Sequence, residues 1–368
     1  MIRVGITGQA GFVGTHLYNH LGLQPEKYER VPFEDSFFDD IAKLRNFVKH
    51  CDVIVHLAAM NRHESEQVIY DTNIRLNRDL IAAMEAENVT PHVLFSSSTQ
   101  EERDNLYGKS KREGREMIEA WATKTGASFS GLVVPNVYGE FSRPNYNTFI
   151  ATFAHKLING EQPTVMVDSD VKLIYVGSLC RFIISQFSEK GVRKVEVPHD
   201  FEKKVTEILA LFENYKTLYF EQGFIPELKD INEVNLFNTF RSYIEPRCMK
   251  LVQHADPRGV FVETIKLGVG GQVSFSTTVS GITRGNHFHT RKIERFTVIK
   301  GKAVIELRKI GTCEVCEFHL DGTEPAYVDM PVWYTHNIKN VGEDELYTQF
   351  WINEWYNPAD GDTYFETV

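Results

Sequence analysis

Cysteine is scarce in this chain, with five in 368 residues. An odd and thinly spread set does not form the paired framework of a small secreted scaffold. Only Cys313 and Cys316 stand in a CxxC spacing, and no second pair accompanies them to complete a zinc site. The alternating residues around them, Gly311 to Phe318, read as an ordinary strand. Long apolar runs are missing too: no stretch of 18 apolar residues exists. The opening Met1-Ile2-Arg3-Val4-Gly5-Ile6 goes straight into a strand-like run, without the charged start and apolar stretch of a secretory leader. A cytoplasmic protein with no membrane partner is expected. Basic residues are in deficit, 40 Lys and Arg against 50 Asp and Glu, for a net charge of −10. A surface of that sign does not neutralise a phosphate backbone, so no nucleic-acid partner is expected and any anionic ligand must be held locally.

What is present is an ordinary globular composition, 42% hydrophobic and 24% charged, with enough length for two domains at about 150 residues each. Up to about residue 185, short apolar runs alternate with helix-period segments, the pattern of a parallel sheet with crossover helices. The strand-like runs are Arg3 to Thr7, Asp52 to Leu57, Val93 to Ser97 and Ser130 to Val134. Between them Asn73 to Glu87 places Ile74, Leu80, Ile81 and Met84 on one helix face. Val205 to Tyr243 reads as helical with an interruption at Pro226, and Glu245-Pro246-Arg247 marks a boundary. Beyond Leu251 short β-rich runs separated by Gly, Asp and Asn argue for a sandwich or barrel. The expectation is an α/β Rossmann-like domain over residues 1–245 and an all-β jelly-roll barrel over residues 246–368.

Gly8-Gln9-Ala10-Gly11-Phe12-Val13-Gly14 follows the first strand and opens a helix. In that context Gly8 permits a tight turn, Gly11 a close approach to a pyrophosphate, and Gly14 close packing of helix on strand. A carboxylate about 20 residues further on would hold the ribose hydroxyl of NAD, and Glu34 or Asp35 falls there, while Arg30 would suit a 2′-phosphate instead. Asp39 is placed beside the adenine or as a helix cap. Downstream, Ser96-Ser97-Ser98 ends a strand and Tyr107-Gly108-Lys109-Ser110-Lys111 puts a phenol and an ammonium on one helix face, where the charge is expected to lower the phenol's pKa. A phenol so tuned exchanges a proton with an alcohol or ketone. In sequence order these pieces resemble the extended short-chain dehydrogenase/reductase family, with its TGxxGxxG, strand-end Ser and YxxxK motifs. The resemblance implies Ser98 as the acting serine with Ser97 second, catalytic Tyr107 and Lys111, and cofactor contacts from Gly8, Gly11, Phe12, Val13, Gly14, Leu57, Ala58 and Ala59. It also makes Asn73 the family's helix asparagine and places Asn136, in Pro135-Asn136-Val137-Tyr138-Gly139, at the substrate.

In the β-rich part, Gly281-Ile282-Thr283-Arg284-Gly285-Asn286-His287-Phe288-His289 continues to Glu294 and Gly301. His287 and His289, two apart on an extended strand, point the same way. His336, in Trp333-Tyr334-Thr335-His336-Asn337, is reachable across a barrel. Three imidazoles and a carboxylate make a shell for zinc or another divalent first-row metal. The spacing G(x)5HxH(x)4E(x)6G resembles the first motif of the cupin family without a gap. The second motif is partial, with Pro331 present and Trp333 where a glycine is expected.

The two halves in this order resemble bifunctional bacterial enzymes of capsular polysaccharide and O-antigen precursor synthesis. That resemblance implies a UDP-linked 2-acetamido-2,6-dideoxy-4-hexulose as substrate, epimerised at C3 in the cupin domain and reduced at C4 with NADPH in the other. The product would be UDP-2-acetamido-2,6-dideoxy-L-talose, toward UDP-N-acetyl-L-fucosamine. Tyr334 and Lys302 are the candidate acid and base in the barrel, and Arg284 a candidate substrate contact. The alternative is a 4-ketoreductase whose cupin is a non-catalytic, metal-stabilised binding or dimerisation module. Cupins commonly self-associate through strands, so a homodimer is expected.

Overall fold

Runs such as Val53-Ile54-Val55 and Val93-Leu94-Phe95 are buried on both faces, as the strands of a parallel sheet covered on two sides must be. The computed structural model describes residues 1–146 and 148–368. The strands of its first part are β1 (Ile2–Thr7), β2 (Tyr28–Val31), β3 (Val53–His56), β4 (His92–Ser98), β5 (Phe129–Val134), β6 (Asn136–Tyr138), β7 (Asp170–Tyr175), β8 (Val192–Glu196) and β9 (Phe201–Lys204). Six of them form one sheet in the order β2-β1-β3-β4-β5-β8, every neighbouring pair parallel. The helices are α1 (Phe12–Gly22), α2 (Ile41–Lys49), α3 (Glu66–Glu87), α4 (Leu106–Thr125), α5 (Phe149–Ile158) and α6 (Val176–Ser185). On α3 the buried stripe is Ile69, Asn73, Leu76, Asn77, Leu80, Ala83 and Met84, so Leu80 and Met84 face the core as expected while Ile74 and Ile81 sit half-buried at its flank. The expected apolar stripe is rotated because two asparagines, Asn73 and Asn77, take inward positions.

Helices α7 (Val205–Tyr215) and α8 (Ile231–Arg241) follow, and then β10 (Cys248–Lys250), β11 (Gln253–Asp256), β12 (Gly259–Val262), β13 (Gln272–Thr278), β14 (Thr283–Phe288) and β15 (Glu294–Lys300). The chain continues through β16 (Lys302–Lys309), β17 (Val315–Asp321), β18 (Ala326–Met330), β19 (Tyr334–Asn340), β20 (Leu346–Ile352) and β21 (Tyr364–Phe365). Two five-stranded sheets, β10-β18-β15-β20-β13 and β17-β16-β19-β14-β21, are antiparallel throughout. Their inward residues, among them Phe296, Val298, Ile305, Leu307, Val328 and Ile338, form one apolar core. The α/β sheet and the all-β region expected from the two sequence textures are both present.

Contacts divide the chain into two units, Met1–Thr152 with Val165–Glu207, and Phe153–Thr164 with Ile208–Val368. The boundary expected at residue 245 falls inside the second unit, because the helical segment before it is bonded to the β-sheets. Tyr219 Oη donates to Asp329 at 2.8 Å, Asn238 Nδ2 to the Arg291 carbonyl at 2.8 Å and Arg241 Nη2 to the Met330 carbonyl at 2.6 Å. Among the described residues no helix is long and apolar enough to cross a membrane.

Candidate active site

In the first unit the strand order reverses between β1 and β3, and ligands of open α/β sheets bind outside the carboxyl ends of the strands at such a point. A cleft of about 790 Å³ lies there. Gly8 takes a left-handed φ of +70°, and its carbonyl accepts the Gly11 amide at 3.0 Å. A Cβ on Gly14 would stand 2.2 Å from that same carbonyl oxygen, so no side chain fits where loop and helix touch. The first turn of α1 carries no acidic residue, which leaves its amides and the positive end of its dipole open to an anion. This cradle fits the pyrophosphate of a dinucleotide. Leu57, Ala58 and Ala59 at the end of β3 line the cleft, as do Phe12, Val13, Asp35 and Asp39. Asn73, buried on α3, holds the segment after β3: its Oδ1 accepts the Met60 amide at 2.7 Å and its Nδ2 donates to Ser110 Oγ at 3.0 Å.

Helix α4 starts at Leu106 because Asn105 caps it, its Oδ1 accepting the Gly108 amide at 2.7 Å. Tyr107 therefore sits in the first turn with Lys111 one turn on, both lining the cleft beside Ser96, Ser97 and Ser98. Lys111 Nζ lies 5.9 Å from the Tyr107 ring centre and donates to the Ser96 carbonyl at 2.9 Å. The expected lowering of the phenol is not what the structure shows. Burial, reinforced by nearby Tyr146, pushes Tyr107 up to about 12, and burial pushes the Lys111 ammonium down to about 8. Desolvation disfavours both charged forms, so at neutral pH the phenol holds its proton and can donate it. The serines differ in what they have left to offer. Ser97 donates to Glu101 at 2.7 Å, a buried carboxylate also held by Arg115 at 3.1 Å and Lys194 at 2.5 Å. Ser98 Oγ accepts the Gln100 amide at 3.1 Å and keeps its own proton for another oxygen.

In the second unit a register shift in β14 between Gly285 and His287 sets His287 opposite His336 on β19. Gly285 at φ +101° makes the shift possible. With His289 and Glu294 these residues bring four ligand atoms within 4.8 Å of one another. Glu294 Oε2 lies 3.1 Å from Nε2 of His289 and 3.1 Å from Nε2 of His336. The other ring nitrogens face carbonyls, His289 Nδ1 that of Asp362 at 2.5 Å and His336 Nδ1 that of Tyr334 at 3.2 Å. A carbonyl only accepts, so each Nδ1 carries the proton and each Nε2 presents a lone pair. Two lone pairs aimed at a buried carboxylate oxygen need a cation between them, and this donor set fits zinc or another divalent first-row ion. Protons compete with a metal ion for the same Nε2 positions. Burial alone would raise the Glu294 carboxyl, but hydrogen bonds and charge from His289 and His336 hold it well below the usual carboxylate range. Burial, then the neighbouring imidazoles, pushes His287 down to about 4. Burial opposes the charged form of His289, yet its bond to Glu294 carries it above the ordinary value.

Some expected residues stand elsewhere. Arg30 does not line the cleft; its guanidinium stacks 4.2 Å over Tyr18 and donates to the Tyr18 carbonyl at 3.3 Å. Asn136 donates to the Lys172 carbonyl at 3.3 Å, its side chain opposite in direction to Pro135 and Val137, which do line the cleft. Lys302 points outward at the far end of β16, 66% exposed and 4.0 Å from Asp321. Arg284 is engaged by Thr278 Oγ1 at 3.1 Å and the Thr277 carbonyl at 3.2 Å. Tyr334, by contrast, is two residues from His336 and on the same face of β19. Opposite it across the ladder stands Lys309, whose ammonium burial pushes down; burial and Cys316 push the Tyr334 phenol up. Lys309 belongs to no motif, although the alternation Ala303, Ile305, Leu307 points to it as the next inward residue. Arg75, Arg143 and Tyr146 also line the cleft without any motif to announce them.

Residues 4–191 match the NAD dependent epimerase/dehydratase family, and residues 254–364 the polysaccharide biosynthesis C-terminal domain. Over 99% of its length the chain is 31% identical to the UDP-2-acetamido-2,6-beta-L-arabino-hexul-4-ose reductase of Pseudomonas aeruginosa, covering 98% of that protein. It is 31% identical to the capsular polysaccharide assembling protein CapF from Staphylococcus aureus, with a TM-score of 0.61 and full coverage of both chains. Over 59% of the chain it shares the fold of RMD from Pseudomonas aeruginosa complexed with NADPH, at 18% identity, a TM-score of 0.53 and 83% coverage of that chain. The fused arrangement expected from the two sets of motifs is that of these full-length relatives. The chain is an enzyme of the NAD dependent epimerase/dehydratase family that carries a polysaccharide biosynthesis C-terminal domain.

Proposed function

We propose that the chain makes a capsule or O-antigen precursor by acting twice on a UDP-2-acetamido-2,6-dideoxy-4-hexulose. The second unit epimerises C3, and the first reduces the C4 ketone with NADPH to give UDP-2-acetamido-2,6-dideoxy-L-talose. The observation that carries this reading is the 31% identity, end to end, with a reductase of a UDP-2-acetamido-2,6-hexul-4-ose. The order of steps follows from chemistry: the C3 hydrogen is acidic only while a C4 carbonyl can take up the enolate charge, so epimerisation precedes reduction.

In the first unit NADPH, held by the Gly8 to Gly14 loop and Leu57 to Ala59, supplies a hydride for C4. Ser98 hydrogen-bonds the C4 oxygen, Tyr107 delivers its proton to that oxygen, and the Lys111 ammonium steadies the phenolate left behind. Arg143, at the cleft wall, suits the substrate diphosphate. In the second unit His287, His289, Glu294 and His336 would hold a divalent ion, which would supply Lewis-acid chemistry at a substrate oxygen. Tyr334 and Lys309 on the inward face are the groups for removing and returning the C3 proton. Zinc is the metal proposed. A cytoplasmic homodimer belongs to the same reading, supported by the edge strand β13, whose Val273 and Phe275 are 56% and 69% exposed; a monomer in sedimentation at working concentration would remove it.

The test is NMR of the 4-keto sugar nucleotide in D2O with the purified chain, first without and then with NADPH. Deuterium at C3 before cofactor, followed by reduction at C4, is expected. Reduction without exchange would leave a ketoreductase with a non-catalytic β-unit, a reading favoured by the Pseudomonas relative's being named for reduction alone.

A further inference from the structure

We infer that Asp362 is the positioning residue of the metal centre, orienting His289 with its backbone carbonyl and fixing the loop from His289 to Glu294 with its carboxylate. The inference rests on reading His287, His289, Glu294 and His336 as a metal centre.

Asp362 lies about seventy residues from that loop in sequence and is buried against it, 5% exposed. Its Oδ2 accepts the amides of Arg291 at 2.9 Å and Lys292 at 3.0 Å. Its Oδ1 accepts the Thr290 amide at 3.1 Å and the Thr290 hydroxyl at 2.6 Å. Three successive amides and a hydroxyl thus converge on one carboxylate, an anion nest filled by the chain's own side chain. These are the residues immediately between ligand His289 and the start of β15, where Glu294 stands. The backbone of Asp362 is left-handed, φ +39°, a conformation that a non-glycine residue keeps only where its surroundings determine it. That turn aims its carbonyl at His289 Nδ1, 2.5 Å away.

The consequence for His289 is specific. Donating Nδ1–H to a carbonyl fixes the ring plane, so Nε2 is the nitrogen that faces Glu294 and is left to ligate the ion. The flanking residues carry the same segment to the other ligands. Phe365 pairs with His287, and the Glu366 carbonyl accepts the hydroxyl of Thr335, next to His336. Arg291 closes the other side through Asp360 at 3.0 Å and Glu354 at 3.1 Å. Only a carboxylate suits position 362, because every group facing its two oxygens is a donor. An amide would set its NH2 against backbone N–H groups, and alanine would leave three amides without this acceptor.

The experiment uses the full chain stripped of metal and titrated with Co2+ against a chromophoric chelator. Asp362→Asn and Asp362→Ala are expected to weaken Co2+ about 10- to 100-fold, the usual loss when an outer-shell partner of a metal-bound histidine is removed. The visible Co2+ spectrum should shift in band position or intensity as His289 loses its fixed orientation. Circular dichroism and NADPH binding report the fold of each variant. Should Asp362→Ala not fold, Thr290→Val decides, since it removes a single donor and should cost severalfold in affinity with the acceptor left in place. Wild-type binding together with folded variants of unchanged affinity and spectrum would overturn the assignment alone. A wild-type chain that takes up neither Co2+ nor Zn2+ would overturn the metal-centre reading and this assignment with it.

Discussion

Replacing Lys111 with methionine keeps the aliphatic stem and removes an ammonium from a site 6% exposed. Burial lowers that group from 10.5 to about 8. At about 1.4 kcal/mol per pH unit, the folded state disfavours the charge by roughly 3 kcal/mol at neutral pH. Against this, the Ser96 carbonyl loses its donor at 2.9 Å, a cost of about 1–3 kcal/mol. The variant should therefore be as stable as the parent at pH 7 or up to about 2 kcal/mol more stable, by difference. The pH dependence removes the ambiguity. Between about 8 and 10.5 the unfolded chain still binds this proton while the folded chain has released it, so parental stability rises with pH across that window. The penalty is fully present below pH 8 and relieved above it. Lys111→Met lacks this contribution, and the difference in stability must swing in the parent's favour by up to roughly 3 kcal/mol between pH 7 and 10.5. Urea unfolding of both proteins by circular dichroism at pH 7, 8.5 and 10 measures it, since titrations common to both cancel. The same substitution should lower C4 reduction about 10²- to 10⁴-fold. Parallel stability curves, or reduction within threefold of the parent, would refute the reasoning.

Ser98→Ala should lower kcat for reduction about tenfold or more, whereas Ser97→Ala, which strips a donor from buried Glu101, should show chiefly as a stability loss of about 1–3 kcal/mol in thermal unfolding. Gly14→Ala should abolish NADPH binding by fluorescence titration, because the new methyl meets the Gly8 carbonyl at 2.2 Å and the loop must open to admit it. Arg30→Ala should leave the ratio of kcat/KM for NADPH over NADH unchanged, and a fall in that ratio would return Arg30 to the cleft. Lys302→Ala should leave deuterium exchange at C3 untouched, while Lys309→Met should slow it at least tenfold with Co2+ uptake retained.

The parts of the fold legible in the sequence were those with local periodicity. Continuous apolar runs marked β1, β3, β4 and β5; the spacing Tyr107 to Lys111 placed two groups on one face of a helix, and His287 to His289 two ligands at the end of a strand and just beyond it. What failed was direction at the ends of strands. Lys302 and Lys309 are both lysines at the termini of β16, and only the parity set by buried Ala303, Ile305 and Leu307 separates an outward residue from an inward one. Asn136 was lost to the same parity, and Arg30 to an aromatic partner, Tyr18, on the neighbouring helix. The helical texture of residues 208–245 likewise says that helices form, not that Asp329 and Met330 are what they bond to.

A second kind of blindness has a different cause. The expectation that Lys111 would lower Tyr107 counted charge and omitted burial, which disfavours the charged form of both groups; the ammonium itself is positioned by a backbone carbonyl, that of Ser96. His289 and His336 are oriented in the same way, by the carbonyls of Asp362 and Tyr334. In all three cases the group that orients the functional nitrogen is main-chain oxygen, which every residue possesses and no residue name reveals. Motif spacing can therefore name the side chains of both sites, but their orientation follows from which stretch of backbone the fold lays against them. A side chain such as Asp362 enters the chemistry only by holding that backbone in place.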